Sequence, residues 1–595
     1  YDALGRETET ENSRGIKVIR TYDKLGNLLS KSYAGSKQVD YTYDAANNLL
    51  SADHTTLGTK TYTYNDSGRA ATITWPDSKS VSFGYNSEGH VTSLTYPDGL
   101  TVSYSYDSFC RRKLPAEFRH GPRDDVSPHN EKKNQVTSMS WSGGSLITLQ
   151  YDKAGNLLKE SRSNGTVSSY LYDANRKTTA IDHKYGTTSF LKINNTYDAA
   201  GRRLSSIDSQ SLNPPLPAGA ETIIYDNANQ LLSYGSTGFS NDADGNVTVI
   251  GGSYAASYDA ENRPVTTTIN GVTTTYTFDG EGNPYRIVRN GVTHFYHFDH
   301  GGRLLFISDI AGTMVSRFIY RGNRLVAQQA QNSLYFYHFD TNGNTLALTD
   351  SSGTVVAEYA YSPHGLFTSM GNPPDNPFTF AGQFGVLQQE GDIFLMTNRM
   401  YMATTGRFLQ RDPLGLTGGV NLYVYAGNNP VGYIDPQGTF ELDPGDIDET
   451  PQTSEGTADL DTYELPYHTD EGIDPEAADK FVEDIADTID DGLAFYGSVP
   501  GLPQGNFINA ARAARDGNYP KAAWETCKGA IGCIPGPGTA INITLDTTEL
   551  LLTSAKANGK KVTGGYQPYE TTFKPKDGPD VTRYGFRQEL GGPPR

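Results

Sequence analysis

The chain has 595 residues and a mass of 64.8 kDa, with 36% hydrophobic and 20% charged residues. It holds 63 Gly, 39 Tyr and 24 Phe against only 3 Trp and 6 Met, a mixture that suits short pleated strands joined by tight turns and excludes a helical bundle for most of the length. No stretch reaches the roughly 18 consecutive apolar residues of a transmembrane helix. Three Cys cannot build a disulfide framework. The opening Tyr1-Asp2 has no basic n-region or apolar h-region behind it, so no signal peptide is expected, and the first residues read as the middle of something longer.

The net charge of -19 is concentrated. Glu441 to Asp491 holds 19 acids and one base, Lys480, which is -18. Gly492 to Arg595 holds 12 bases and 8 acids, which is +4, so residues 1–440 carry -5. This break predicts a boundary near residue 440, followed by a solvated acidic linker. Such a linker could also mask the basic tail behind it.

A repeat fills the region before that boundary. Tyr1-Asp2, Tyr22-Asp23, Tyr43-Asp44, Tyr64-Asn65, Tyr85-Asn86 and Tyr106-Asp107 follow each other at intervals of 21 residues. Looser copies begin at Tyr151, Tyr172, Tyr197, Tyr225, Tyr258, Phe278, Phe298 and Phe339. Each reads aromatic, Asp, two variable residues, Gly, then Arg or Asn and an apolar residue. The residues ahead of it alternate, as in Thr61-Tyr62-Thr63-Tyr64, which is strand periodicity. The Asp carboxylate caps turn amides, and Gly takes the left-handed position. A second turn falls mid-repeat, at Pro76-Asp77 and Pro97-Asp98-Gly99. One repeat is therefore about one β-hairpin. The whole is a mainly β chain, a long ribbon that coils because strands twist and that must curl or close to bury its aromatic face.

This pattern resembles the RHS/YD-repeat family over roughly residues 1–440. The resemblance implies a ribbon spiralled into a hollow cocoon shell. A wall-associated or adhesive repeat stalk with no enclosed cargo is the competing structural reading. Residues 111–134 break the pattern, and they read either as an inserted surface loop or as a disturbance of the reading frame. Their basic residues are not expected to form a nucleic-acid patch.

Residues 378–440 depart from the repeat. Gly406-Arg407-Phe408, Asp412-Pro413-Leu414-Gly415-Leu416, Asn421-Leu422-Tyr423, Asn428-Asn429-Pro430 and Asp435-Pro436-Gln437-Gly438 resemble, in order, the RHS repeat-associated core. The resemblance implies self-cleavage just after the last of these motifs, releasing a variable C-terminal domain that stays inside the shell. Carried over by position, Asp412 and Asp435 are the catalytic carboxylates and Arg399 their supporting contact. Two Asp side chains held close cannot both ionise readily, so one stays protonated. The ionised one can activate water and the protonated one can donate to the carbonyl oxygen or leaving amine. An Arg nearby can hold one carboxylate charged or steady the oxyanion. The expected scissile bond is Thr439–Phe440, where the family's Leu is replaced by Thr439. Asp before Pro is also an ordinary turn starter, which is the structural alternative for both.

His294, His297, His300 and His338 are candidate metal ligands, since imidazole is a common one. Along a strand His294 and His300 share one face and His297 lies on the other, which argues against one site, and no metal is expected. Gly415 to Gly419 lacks the Lys-Ser/Thr of a phosphate loop, and no motif calls for a cofactor.

Beyond the acidic linker (441–474) the period turns helical. Ala478, Phe481, Val482, Ile485, Ile489 and Leu493 form one stripe, and further helices are expected over about 506–515, from Pro520, and over about 539–557. Residues 475–557 resemble the small helical pre-toxin segment of polymorphic bacterial toxins. Cys527 and Cys533 are expected as free thiols. The basic tail 558–595 is Gly-, Pro- and Lys-rich. His468 is the sole His after residue 440, which argues against a His-Asn-His nuclease. Nothing long enough follows Arg583 for an ADP-ribosyltransferase, and Cys527 with His468 is no hydrolase motif. A very small toxin, action by binding or membrane insertion, and a degraded tail stay open, and the Gly-apolar stretch 529–552 could support membrane contact. The resemblance then implies a secreted or surface toxin of the type VI effector or insecticidal toxin complex kind, with an immunity protein and a delivery partner. The alternative is a structural repeat protein with an inert or decayed tail.

Overall fold

A computed structural model of the chain describes residues 1–107, 135–215, 221–371 and 375–444, and the backbone of two strands, 566–573 and 581–588. The irregular stretch 111–134, nearly all of the acidic linker and the expected helices of 475–557 lie outside the described residues.

The described residues up to 371 form two long antiparallel ribbons. The first runs from β1 (Glu9–Glu11) to β17 (Arg203–Asp208) as a 17-stranded sheet, each strand pairing with the next. The second runs from β18 (Ile223–Tyr225) to β33 (Phe367–Gly371) as 16 strands. The expected hairpin repeat is what the structure contains. In the repeat at Tyr22-Asp23, the Asp23 amide donates to Asn27 O at 2.9 Å, and Asp23 Oδ1 accepts the amides of Leu25 and Asn27 at 2.8 and 2.9 Å. Gly26 sits at φ 102°, as the turn requires. Asn47, Asn229 and Asn262 replace Gly at the equivalent left-handed position, and so does Arg176 at φ 63°.

The Tyr of the motif has a role that its strand propensity does not reveal. Tyr22, Tyr43, Tyr64, Tyr85, Tyr106, Tyr151 and Tyr172 each donate their hydroxyl to the backbone carbonyl 15 residues earlier. Each hairpin is thus tied to the one before it. In the second ribbon Phe278, Phe298 and Phe339 stand at this position and are buried in its core. A further copy of the turn, at Asp242, escaped the aromatic signature because Asn241 precedes it. Its Oδ1 still accepts the amides of Asp244 and Asn246 at 3.0 and 2.9 Å.

The ribbons lie edge to edge. Mid-repeat turns and strand residues of the first meet motif turns and strand residues of the second at a steady sequence separation. Arg14 pairs with Asp244 across 230 residues, Lys31 with Glu261 across 230, Lys60 with Glu281 across 221, Asp77 with His297 across 220 and Asp98 with Arg317 across 219. Beyond 111–134 the separation falls to 185, at Asn164 and Thr349. The aromatic rows close over this seam, with Trp75, Tyr96 and Phe306 in one core. Lys60 is 2% exposed, between Asp279 and Glu281.

The four histidines do not converge. His297 is buried against Asp77 at 3.0 Å, His300 binds Glu281 at 2.7 Å, and His338 meets Thr349 and His183. Among the described residues no three metal-ligating side chains come together.

The strands Tyr566–Phe573 and Val581–Gln588 of the tail pair antiparallel as a separate hairpin.

Candidate self-cleavage site

Residues 375–444 fold over the motif turns of the second ribbon. Asn344 Oδ1 accepts the Ala381 amide at 2.8 Å, Asn342 donates to Pro430 O at 2.9 Å, and Tyr423 donates to Gly245 O at 2.9 Å. Inside, Phe380, Phe394, Tyr401, Phe408 and Tyr425 form a closed aromatic cluster. Beside it stands a four-stranded sheet of β34 (Leu387–Gln388), β35 (Ile393–Met396), β36 (Arg399–Met402) and β37 (Arg407–Phe408).

Arg399 begins β36 and is 1% exposed. Its guanidinium lies 3.6 Å above the Phe408 ring and makes four polar contacts. Nη2 is 2.9 Å from Asp412 Oδ2 and 3.3 Å from Asp435 Oδ2. Nη1 donates to Leu422 O at 3.0 Å, and Nε donates to Gly438 O at 2.6 Å. The three residues singled out in the sequence, 36 positions apart at the extremes, meet on one nitrogen. Such planar, multiple donation is what Arg supplies and Lys does not.

Each aspartate is held by its own turn. Asp412 Oδ1 accepts the Leu414 amide at 2.8 Å, and Asp435 Oδ1 accepts the Thr439 amide at 2.9 Å. The turn geometry expected of Asp-Pro is therefore present, and it serves to aim the second oxygen of each carboxylate at Arg399. Burial pushes the Asp435 carboxyl up to about 6, against the pull of Arg399 and with a push from Asp412. Burial raises Asp412 too, again opposed by Arg399. Burial lowers Arg399, opposed by both carboxylates. One guanidinium cannot fully compensate two buried carboxylates, so the pair holds a proton to higher pH than a free Asp does.

The stretch ahead of the expected cut is gripped by its backbone. Gln437 O accepts the Asn398 amide at 3.2 Å and Asn398 Nδ2 at 3.0 Å. Gly438 has φ +67°, and a Cβ there would lie 2.8 Å from Met396 O. A Cβ at Gly418 would lie 2.6 Å from Asp412 Oδ2. Thr439 is 5% exposed, and Phe440 is half-buried. After it, Leu442 exchanges two backbone hydrogen bonds with Ile434 at 2.7 and 3.0 Å. Asn398 carries no signal in the sequence, and the motifs that contain Phe408, Gly418 and Gly438 do not reveal their contacts with Arg399, Asp412 and Met396. The glycines of Leu-Thr-Gly-Gly and Gln-Gly-Thr were the signal available, because close backbone approach demands them.

The Teneurin YD-shell family model matches residues 1–192 and 169–431. The chain belongs to this family. A 76-residue stretch is 42% identical to the double-stranded DNA deaminase toxin A of Burkholderia cenocepacia, covering 12% of this chain and 5% of that protein. A 66-residue stretch is 39% identical to the toxin protein Tse5 of Pseudomonas aeruginosa, covering 11% of this chain and 5% of that one. This YD-shell chain thus matches only a small fraction of the length of these toxins. The crystal structure of TcdB2-TccC3 is similar over 73% of this chain and 28% of that one, with a TM-score of 0.55 at 15% identity. The Photorhabdus luminescens Tc holotoxin pore is similar over 74% and 27%, with a TM-score of 0.55 at 14% identity. These likenesses speak for the shared fold of the two ribbons.

Proposed function

We propose that this chain is the shell-forming part of an RHS-type polymorphic toxin or effector. Its ribbons wall a hollow cocoon, and the C-terminal region is cargo freed by self-cleavage beside Thr439. Residues 1–377 are the shell, 378–440 the closing core, 441–474 a linker, 475–557 a pre-toxin-like segment and 558–595 the variable tail. The fold family and the short toxin relatives support the shell reading. A delivery partner and a cognate immunity protein belong to it, and the protein acts outside the cell that makes it.

One observation carries the cleavage: Arg399 joins Asp412, Asp435 and the Gly438 carbonyl within 3.3 Å of its nitrogens. The carboxylate pair, sharing one proton, supplies acid and base to a single peptide bond. Arg399 holds the pair's negative charge and anchors the Gly438 carbonyl, one residue ahead of the bond Thr439–Phe440. Closing aromatics and clamped backbone keep that bond in one place.

Intact mass of the purified chain, beside Asp412→Asn and Asp435→Asn, tests this. Two fragments meeting at Thr439 in the unaltered protein, absent in both variants, are expected. A single 64.8 kDa species in all three would make the aspartates structural. It would favour the inert scaffold.

A further inference from the structure

Beyond 111–134 the two ribbons meet through a pair of buried imidazoles. His183 stands on β15 (Thr178–Tyr185) and His338 on β30 (Ser333–Phe339), at 1% and 0% exposure. Their Nδ1 atoms are 3.4 Å apart, and their rings cross at 79°. The partners of these rings fix where the protons sit. His183 Nε2 faces the Phe339 carbonyl at 3.3 Å, which can only accept, so Nε2 carries the proton and Nδ1 is the acceptor. The Ser168 hydroxyl donates to that Nδ1 at 2.6 Å and itself accepts Arg162 Nη1 at 2.8 Å. His338 Nδ1–H points to the same lone pair, and His338 Nε2 accepts the Thr349 hydroxyl at 2.9 Å. All these bonds are made with both rings neutral, and a proton on His183 Nδ1 would set donor against donor. The charged neighbours offer no relief. Glu160 is committed to Arg162 at 2.7 Å, and Asp182 to Lys184 at 2.9 Å and Ser189 at 2.7 Å. Phe190 closes over both rings, and burial keeps the nearby Tyr170 and Tyr361 hydroxyls neutral in acid. Elsewhere on the seam His297 faces Asp77 at 3.0 Å and His300 faces Glu281 at 2.7 Å, so a proton taken up there meets a carboxylate.

We propose that His183 and His338 form an acid-sensitive latch on the ribbon seam, closed while both rings are neutral and opened locally when they take up protons. The inference rests on the packing of the two ribbons and not on self-cleavage. Burial holds His183 down to about 3, with Arg162 adding to it, and burial and Arg162 lower His338 as well. Once the strands part, both rings return towards the ordinary value of about 6.5. The open seam then binds more protons than the closed one. The latch is therefore fully closed above that value and weakens as pH falls below it. Each histidine shifts the opening equilibrium by about tenfold per pH unit, and the pair by about a hundredfold. The seam carboxylates act in a lower range. Against burial, which raises them, Arg263 and Lys60 hold Glu261 and Glu281 down to about 2, so their contribution is lost only below their ordinary value of 4.5. The window from about pH 6.5 to 5 belongs to the imidazoles. In the proposed shell this sets an acid-triggered opening in the wall.

The test is amide hydrogen exchange of the full chain, read by peptide mass between about pH 7 and 5 and corrected for the intrinsic pH dependence of exchange. Peptides covering Thr178–Tyr185 and Ser333–Phe339 report on the latch, and those covering Thr101–Tyr106 and Met314–Arg321 report on a part of the seam without it. Protection of the first two is expected to fall by about 10³-fold from pH 7 to 5, and that of the other two by about tenfold at most. The double variant His183→Gln with His338→Gln, which cannot titrate at these positions, is expected to lose this slope and keep its protection at pH 5. Protection at the latch strands that stays level down to pH 5 overturns the inference. So does an equal fall in all four strands, which is unfolding of the whole sheet, and so does an unchanged slope in the double variant. If the double variant melts lower at neutral pH, its slope against pH still decides, because the lost packing shifts the level of protection and not its proton dependence.

Discussion

Arg399 Nε donates to the Gly438 carbonyl at 2.6 Å, and a Cβ on Gly438 would press into Met396 O at 2.8 Å. The two residues are 39 positions apart, and each contact depends on the other residue keeping its place. Gly438→Ala both strains a positive φ and lifts the carbonyl from its donor. Cleavage followed on denaturing gels should slow by about 10²-fold, the scale of misplacing a reacting bond by about 1 Å.

Arg399→Lys keeps the charge but not the four contacts. An ammonium can serve one carboxylate and one carbonyl, not two of each in fixed planes. Self-cleavage should fall by about 10²–10³-fold. The melting temperature should also drop, because breaking a buried ion-pair network costs about 3–5 kcal/mol. Calorimetry beside the gel assay reads both effects.

The pH dependence follows from the carboxylate pair. Asp435 must carry a proton to deliver one, and its carboxyl is raised to about 6 by burial. Ionisation above that value removes the acid. The cleavage rate should therefore be high below pH 6 and fall by about tenfold per unit well above it. A second fall is expected further into acid, when Asp412, also raised, loses its charge. Rates after refolding into buffers across this range would show the profile, and a flat profile would remove Asp435 from the proton transfer.

The hairpin tie is open to a conservative test. Tyr64 donates to Leu49 O at 2.7 Å, and Tyr64→Phe removes that bond alone. A loss of about 1 kcal/mol is expected, read as a lower midpoint in denaturant. Phe298→Leu changes no hydroxyl and should show no loss of this kind, only the cost of altered packing.

The seam between the ribbons is held by charges that burial makes expensive to orphan. Lys60→Met leaves Glu281 and Asp279 facing each other with His300 as the remaining cation. A cost of about 3–5 kcal/mol is expected, and adding Glu281→Gln should restore part of it. Equilibrium denaturation of the single and double variants measures the difference.

The repeat, the turn chemistry and the β character of the described residues up to 371 were legible in the sequence, because they rest on short-range rules. Alternation places side chains on a face, Asp caps the next amides, and Gly or Asn takes positive φ. Arg399, Asp412 and Asp435 were reachable only by resemblance to a family pattern, since nothing local distinguishes them from turn and strand residues. What only the tertiary structure decided is long-range: the edge-to-edge register that sets Lys60 against Glu281, and the meeting of three distant side chains on one guanidinium. Those contacts depend on how a twisted ribbon of hairpins accumulates its turn over more than 200 residues, a sum of small angles that no local window contains. The Gly438 carbonyl and the Thr439 amide belong to the same class. Backbone groups carry no signature in a sequence, and their partners appear only when the chain has folded around them.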